Sequence, residues 1–248
     1  MLFWIIIGMI IILFIIVLIV LGLSRVKISR IKNIEGFDSP EVAKAFEKQT
    51  KLLPFRLLYK RVISELKKLD PKGTVADVGC GAANVLIRLA NKYPNLKLIG
   101  IDVSQEILDK AIINAEKANV KDKIVFRVGS VEKLPLDNQS LNYIISTLSL
   151  HHWNAPIDAF KEFYRTLKPG GVLIIFDFRR DLRKFFYGFL KFITKVIVPK
   201  PLKKINEPLG SVKSSYTINE INELLEKSSF ENYEIKPFLA WMFIIAKK

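Results

Sequence analysis

The sequence predicts an α/β fold with a doubly wound, mostly parallel seven-stranded sheet, preceded by one transmembrane helix. Two observations predict the sheet. Short apolar runs alternate with helical patterns from residue 74 onward, and a glycine-rich turn follows the first run. An uncharged apolar stretch at the N-terminus predicts the membrane helix. The chain therefore divides into an anchor at residues 1–23, a basic juxtamembrane linker at 24–37 and a globular domain at 38–248.

The N-terminal stretch is long enough to cross a bilayer. Residues 2–23 contain no charged side chain, and a helix of about 22 residues spans about 33 Å. A cleaved signal peptide is disfavoured because the run starts without Lys or Arg, exceeds a typical signal core of about 7–15 residues and lacks a small-residue cleavage motif. Four basic residues follow: Arg25, Lys27, Arg30 and Lys32. Because positive flanks stay cytoplasmic, we expect a single-pass protein with its N-terminus outside and its domain in the cytoplasm.

Composition excludes several classes of protein. The chain holds 39 Lys and Arg against 24 Asp and Glu, a net charge of +15, which favours an anionic partner such as a membrane surface or nucleic acid. A single cysteine, Cys80, excludes a disulfide framework. The two histidines, His151 and His152, are too few for a histidine-rich metal site, and no metal is expected.

The elements follow in a regular order. A helix is predicted to start with Pro40 in its first turn, to break near Pro54 and to resume to about Leu69. The predicted strands cover residues 74–78, 97–101, 123–127, 141–146, 172–176, 232–236 and 240–246. Helical patterns lie between them at about 83–92, 104–118 and 156–167. A capping box, Thr217 to Glu220, opens a late helix.

The turn after the first strand reads Asp77-Val78-Gly79-Cys80-Gly81. Two glycines permit a tight turn and close approach of a ligand, but this pattern alone is weak evidence. The carboxylate of Asp77 would repel a pyrophosphate and would suit a ligand with an ammonium group, such as S-adenosylmethionine. Asp102 ends the second strand and can accept the hydroxyls of a ribose. A nicotinamide oxidoreductase is the alternative, disfavoured by Asp77 and by Asn84 at the place of the third glycine.

Together these segments resemble class I S-adenosylmethionine-dependent methyltransferases. The resemblance also rests on Gly129–Leu136 after the third strand, Leu141–Trp153 around the fourth and Leu167–Gly171 before the fifth. It covers about residues 70–178 and is strongest to the branch that includes the ubiquinone/menaquinone-biosynthesis methyltransferases (methyltransferase type 11). It implies a Rossmann-like methyltransferase fold and S-adenosyl-L-methionine as cofactor. It implies these cofactor-binding residues: Asp77, Gly79, Cys80, Gly81, Asp102, Val103, Ser130, Val131 and Thr147.

Two positions depart from the family, Ser130 and Asn142, and Asn142, which replaces a common Asp in the fourth strand, is expected to be structural. Ser130 stands where these enzymes usually carry an acidic residue that contacts the adenine amino group. The contact would then be weaker or shift to the backbone, while the rest of the cofactor site remains.

Candidate substrate-side residues follow the fourth and fifth strands. His151 or His152 could serve as a general base near neutral pH. A packing role for one of them is the alternative, since methyl transfer needs mainly alignment and proximity. Trp153, Asp177 and Tyr216 are further candidates on this side.

Residues 181–204 form an amphipathic basic insertion after the fifth strand. Apolar residues recur at helical spacing, among them Phe185 and Phe189, and seven Lys or Arg residues stand against one Asp. A helix packed on the core is one interpretation. A helix in the membrane interface or a lid over the substrate is the other, favoured by the Phe content, the basic face and the nearby anchor.

We therefore expect a membrane-anchored methyltransferase acting on a lipid-soluble or membrane-surface small molecule, such as a quinone precursor, an isoprenoid or a phospholipid. A nucleic-acid methyltransferase is an alternative suggested by net charge. It is disfavoured because Ser146-Thr147-Leu148-Ser149 lacks the Asn-Pro-Pro-Tyr type of sequence used on base amino groups. A non-enzymatic binding protein of the same fold is a third interpretation, suggested by Ser130.

Overall fold

The computed structural model describes residues 2–31, 40–50 and 52–248. The helices are α1 (Leu2–Leu23), α2 (Pro40–Thr50), α3 (Leu53–Lys67), α4 (Asn84–Lys92), α5 (Gln105–Lys117), α6 (Pro156–Thr166), α7 (Lys184–Val196), α8 (Lys200–Lys204), α9 (Leu209–Ser214) and α10 (Ile218–Glu226). The strands are β1 (Thr74–Val78), β2 (Lys97–Asp102), β3 (Ile124–Val128), β4 (Leu141–Thr147), β5 (Leu167–Phe178), β6 (Asn232–Pro237) and β7 (Trp241–Lys247).

The strands form one seven-stranded sheet in the order β3-β2-β1-β4-β5-β7-β6. Strands β1 to β5 run parallel, and β7 runs antiparallel between β5 and β6. The predicted doubly wound, mostly parallel sheet is confirmed. Strand order reverses between β1 and β4, which opens a crevice at the carboxyl ends of the strands, where ligands of such sheets bind.

The fifth strand is longer than predicted. It begins at Leu167, because this residue already pairs with Leu141 ahead of an irregularity in the β4–β5 ladder. It ends at Phe178, opposite Trp241. Asp177, predicted to follow the strand, is therefore its penultimate residue.

Two apolar clusters sandwich the sheet, as expected when helices cover both faces. One contains Leu66 of α3, Leu86 of α4 and Leu108 of α5. The other contains Phe160 of α6 and Leu225 of α10. Helix α10 begins with the predicted capping box, in which Thr217 and Glu220 bond each other's backbone amides. The site is thus held at the edge of a rigid sheet.

The N-terminal segment contains α1, where the transmembrane anchor was predicted. Within the described residues, no helix combines the length and apolar character needed to cross a membrane, so the predicted anchor gains no support here. The predicted boundary between linker and domain, at residues 37 and 38, lies outside the described residues.

Residues 24–31, which we call the strap, lie against the globular domain along their length. The Val26 amide donates to the Leu182 carbonyl at 2.9 Å, and the Lys184 amide donates to the Ser24 carbonyl at 2.9 Å. Further along, the Ile31 amide donates to the Lys213 carbonyl at 3.1 Å. The first part of the predicted juxtamembrane linker is therefore a docked segment of the domain surface.

Candidate active site at the carboxyl ends of the strands

The glycine turn between β1 and α4 forms the floor of the crevice. Gly79 and Gly81 have φ angles of 72° and 52°, where a side chain is strained. A Cβ on Gly79 would lie 2.3 Å from Ser149 Oγ, so glycine is required for the turn to pack under the β4 loop. Around Gly81 no described atom comes within 4 Å of the corresponding position. A ligand can therefore approach the backbone at Gly81.

Asp77, at the end of β1, is 1% exposed. Its Oδ1 atom has no hydrogen-bond partner in the described part of the chain. Burial raises the pKa of this carboxyl well above its ordinary value, and the charge of Asp102 raises it further. A buried carboxylate without a partner is costly, so the position is suited to a ligand that brings a positive charge and N–H donors.

Asp102, at the end of β2, fixes the turn and faces the same crevice. Its two oxygens accept from the Gly81 amide at 2.9 Å and from the Ser104 amide at 3.2 Å. Burial raises the pKa of Asp102, while these amide bonds partly oppose the rise. A carboxylate has about four lone-pair sites, so Asp102 keeps acceptor capacity for ribose hydroxyls. Val103 beside it is 73% exposed, which leaves an apolar surface next to the ribose position.

On the opposite side of the crevice, His151 and Asp177 form a buried pair. His151 Nδ1 lies 2.7 Å from Asp177 Oδ1, and the His151 amide donates to Asp177 Oδ2 at 3.0 Å. Their side chains are 2% and 1% exposed. The Nε2 atom of His151 is buried and has no partner among the described residues. The carboxylate can thus hold the proton on Nδ1 and leave Nε2 as the acceptor.

The two adjacent histidines differ in their electrostatics. Burial alone lowers the pKa of His151, but the Asp177 carboxylate, with a contribution from Glu207, raises it above the ordinary value. Burial and the charge of His151 lower the pKa of His152 to about 3. His151 therefore takes up a proton more readily than an ordinary histidine, while His152 takes one up far less readily.

Comparison with known proteins agrees with this geometry. A family model described as "Methyltransferase domain" matches residues 69–232. The chain belongs to this methyltransferase domain family. The match includes all five parallel strands and every predicted cofactor residue.

Individual relatives are distant. A ubiquinone/menaquinone biosynthesis C-methyltransferase of Rickettsia felis is 27% identical over 177 residues, 65% of this chain and 70% of the relative. The chain spans only 22% to 40% of the length of several other curated relatives it matches. The comparisons therefore show the methyltransferase family and not the acceptor of any one relative.

Solved structures share the fold. A putative S-adenosyl-L-methionine-dependent methyltransferase from Methanococcus maripaludis superposes with a TM-score of 0.67 at 24% identity, over 88% of this chain and 96% of that one. Phosphoethanolamine N-methyltransferase 2 of Haemonchus contortus, solved with S-adenosyl-L-methionine, gives 0.58 at 17%, over 76% and 52%. The cofactor of this methyltransferase domain is S-adenosyl-L-methionine.

The structure brings the remaining predicted cofactor residues to the same edge. Thr147 Oγ1, at the end of β4, is a third buried polar atom without a described partner. Cys80 lies inside the turn and is 7% exposed. Burial, with the charges of Asp77 and Asp102, raises the pKa of its thiol well above the ordinary value, so it is a neutral packing group.

Ser130, which departs from the family pattern, has an acidic residue beside it. The Ser130 hydroxyl bonds the carboxylate of Glu132, two residues further along, and Val131 lies between them, half-buried. An acidic group is thus present beside the position where the family resemblance expects one.

Three substrate-side candidates, Trp153, Phe185 and Phe189, lie in two different environments. Trp153 is 5% exposed, donates to Ser149 Oγ at 2.9 Å and packs edge-on against Phe163, so it belongs to the core under α6. Phe185 and Phe189 are 64% and 48% exposed on the outer side of α7. They lie on the surface rather than in an enclosed acceptor pocket.

Two residues near the crevice had no clear sequence signal. Tyr59 of α3 is 6% exposed; burial, opposed by Arg88 and supported by Asp77, raises its pKa to about 12. Arg30 of the strap lies 4.1 Å from the ring centre of Tyr216, which is itself 8% exposed. The positions of Tyr59 and Arg30 beside the crevice depend on packing between segments that are far apart in sequence. From the sequence alone, Arg30 is explained as part of the positive flank that follows the apolar run.

Proposed function

We propose that this methyltransferase domain transfers a methyl group to a small acceptor whose X–H bond is activated by His151. The observation that carries the proposal is the buried His151–Asp177 pair, with Nε2 of His151 left without a described partner beside the cofactor crevice. This arrangement is typical of a general base held in one tautomer by a carboxylate.

The family resemblance assigns the cofactor roles, and the placement of these residues supports them. Asp77 would receive the ammonium group, Gly81 would permit close approach of the methionine portion, and Asp102 would receive the ribose hydroxyls. Val103, Ser130 and Val131 would border the adenine, with Thr147 and the Gly79-Cys80 turn beside the methionine portion. The fit rests on Asp77 Oδ1 and Thr147 Oγ1, two buried polar atoms that ligand groups would satisfy.

The proton path uses this chain's own groups. S-adenosyl-L-methionine, when bound, supplies an electrophilic methyl group and leaves as S-adenosylhomocysteine. His151 Nε2 accepts the proton from the acceptor heteroatom or carbon acid, and that atom forms the new bond to the methyl carbon. Asp177 stabilises the resulting imidazolium through Nδ1. Because the pKa of His152 is lowered to about 3, His152 is uncharged at neutral pH and does not compete for the proton.

The acceptor is proposed to be lipid-soluble or located at a membrane surface: a quinone precursor, an isoprenoid or a phospholipid. Support comes from α7, whose outer side exposes a row of apolar side chains next to a row of lysines. The apolar row is Phe185, Phe189, Phe192 and Val196, and the basic row is Lys184, Lys191 and Lys195. Such a face suits an anionic lipid surface. Leu190 on the other side of α7 packs into the domain, so the predicted single apolar stripe is divided between core and surface.

Residues 2–23 are proposed as a membrane anchor with the domain on the cytoplasmic side. The proposal rests on a sequence of 22 residues without a charged side chain, followed by the basic strap. Helix α1 contacts α7, and Ser24 accepts from the Lys184 amide, so the two apolar surfaces are neighbours.

The test uses full-length protein in lipid nanodiscs, S-adenosyl-L-methionine with a deuterated methyl group, and organic extracts of bacterial membranes. We expect labelled products in the organic phase, found by mass spectrometry, and their loss in His151→Gln with cofactor affinity retained. Label confined to water-soluble products would overturn the acceptor class, and full activity of His151→Gln would overturn the base.

A further inference from the structure

The strap crosses the acceptor side of the crevice and is held there by two arginines. Arg180, 5% exposed, donates through Nε to the Ile28 carbonyl at 2.9 Å and also binds the Ser215 carbonyl and Glu220. Arg25 of the strap donates to the Asp181 carbonyl at 3.1 Å. The strap is thus fixed to the end of β5, three residues beyond Asp177.

Arg30 is the strap residue that reaches the histidine loop. Its Nε donates to the Ser214 carbonyl at 2.6 Å, its guanidinium covers the Tyr216 ring at 4.1 Å, and its Nη2 lies 3.5 Å from the His151 carbonyl oxygen. One side chain therefore joins α9, Tyr216 and the loop that carries His151.

The charges around His151 come from several elements. Asp177 on β5 and Glu207, between α8 and α9, favour the protonated imidazole. Arg30 on the strap opposes protonation, and the neutral ring of His152 lies 4.1 Å away. Among the described residues, Arg30 is the cation whose charge acts on His151. Its removal would take away the positive charge that opposes protonation of His151, and burial would then be the main effect left on that side.

We propose that Arg30 is a positioning residue of the acceptor site: it clamps Tyr216 and the His151 loop and keeps the His151 imidazole available as a base. The proposal rests on the proposed function, because it takes His151 as that base. Arg30 lies seven residues beyond the end of α1, so the N-terminal helix and the acceptor site are joined by one short docked segment. The strap then serves as a wall of the active site as well as a linker.

The experiment exploits the fact that the chain has only two histidines. Full-length protein in detergent micelles, labelled with ¹³C-histidine, is titrated by NMR for wild type, Arg30→Gln, Arg30→Lys and Lys27→Gln. Lys27 is a matched control, since it is an exposed cation on the same strap for which no hydrogen bond to the domain is seen among the described contacts. Retained affinity for S-adenosyl-L-methionine shows that each variant is folded.

We expect the His151 midpoint to move to higher pH in Arg30→Gln and to stay at the wild-type value in Lys27→Gln and Arg30→Lys. The shift should shrink at high salt, because Arg30 is solvent-exposed and salt screens its charge. An unchanged midpoint in Arg30→Gln, or an equal shift in Lys27→Gln or Arg30→Lys, would overturn the proposal. No acceptor is needed for this titration, so failure of the proposed transfer reaction and failure of the Arg30 role are separate results.

Discussion

Replacing Asp77 with Asn should weaken cofactor binding without weakening the fold. Asn has nearly the same shape, so the substitution creates no cavity at this 1% exposed position. It removes the negative charge that would pair with the cofactor ammonium. A hydrogen bond to a charged group contributes about 1.5–3 kcal/mol. At about 1.4 kcal/mol per tenfold, the expected rise in Kd is roughly 10- to 140-fold.

Asp77→Asn should weaken cofactor binding but should not lower the stability of the fold. The pKa of Asp77 is raised in the folded state by burial and by Asp102. An acid whose folded pKa lies above its unfolded value favours the fold at low pH, and this contribution is lost as pH rises through the folded pKa. At neutral pH the ionised form therefore opposes folding, and Asp77→Asn should melt at the same temperature as wild type or higher.

Calorimetric titration and thermal melts of full-length protein would measure both effects. Asp70→Asn is the matched control, because its side chain is 86% exposed and lies at a turn away from the crevice. A variant that binds S-adenosyl-L-methionine as tightly as wild type, or one whose melting temperature falls by several degrees, would refute the assignment of Asp77 to the ammonium.

Three further predictions address the other groups. In an NMR titration, one histidine signal should titrate above the ordinary histidine pKa and the other only near pH 3; two ordinary midpoints would contradict the buried His151–Asp177 pair. Asp102→Ala should weaken cofactor binding and raise the amide exchange rate at Gly81, whose N–H bonds the carboxylate at 2.9 Å, and slow exchange there would contradict that contact. Replacing both Phe185 and Phe189 with Ser should reduce binding to anionic vesicles while leaving cofactor affinity unchanged, and the control is Phe238→Ser, a less exposed phenylalanine outside α7.

The parallel strands and the cofactor edge were predictable because their signals are local. Each strand is a short apolar run, and Asp77 and Asp102 stand at the carboxyl ends of two of these runs, β1 and β2. Since the carboxyl ends of parallel strands meet at one edge, adjacency in space followed from the topology.

The acceptor side was harder to predict because its contacts join distant residues. His151 and Asp177 are 26 residues apart, on the loop after β4 and at the end of β5, so no local pattern marks their pairing. Arg30 and Ser214 are 184 residues apart. A basic residue after an apolar run is already explained as the positive flank of that run. The contact of Arg30 with the active site could therefore not be inferred from the sequence.

Helix α7 shows a limit of periodicity. The apolar residues of α7 cover a wide part of the helix circumference, and the sequence does not tell which of them are buried. In the structure Leu190 is 9% exposed and Phe185 is 64% exposed. The division depends on which side meets the domain, and Leu182 and Val212, which pack beside Leu190, lie outside the helix. The burial of Trp153 was equally hard to predict. Trp153 packs under α6 against Phe163, and no sequence pattern indicates that contact.

The most direct test of the account is the pH dependence of methyl transfer under single-turnover conditions, compared between wild type and His151→Gln. The account predicts that the wild-type rate rises with pH through the raised pKa of His151 and then levels off. It predicts that His151→Gln is slower by about 10²- to 10⁴-fold and lacks this limb. A His151→Gln rate within a few-fold of wild type, with the same pH profile, would contradict it.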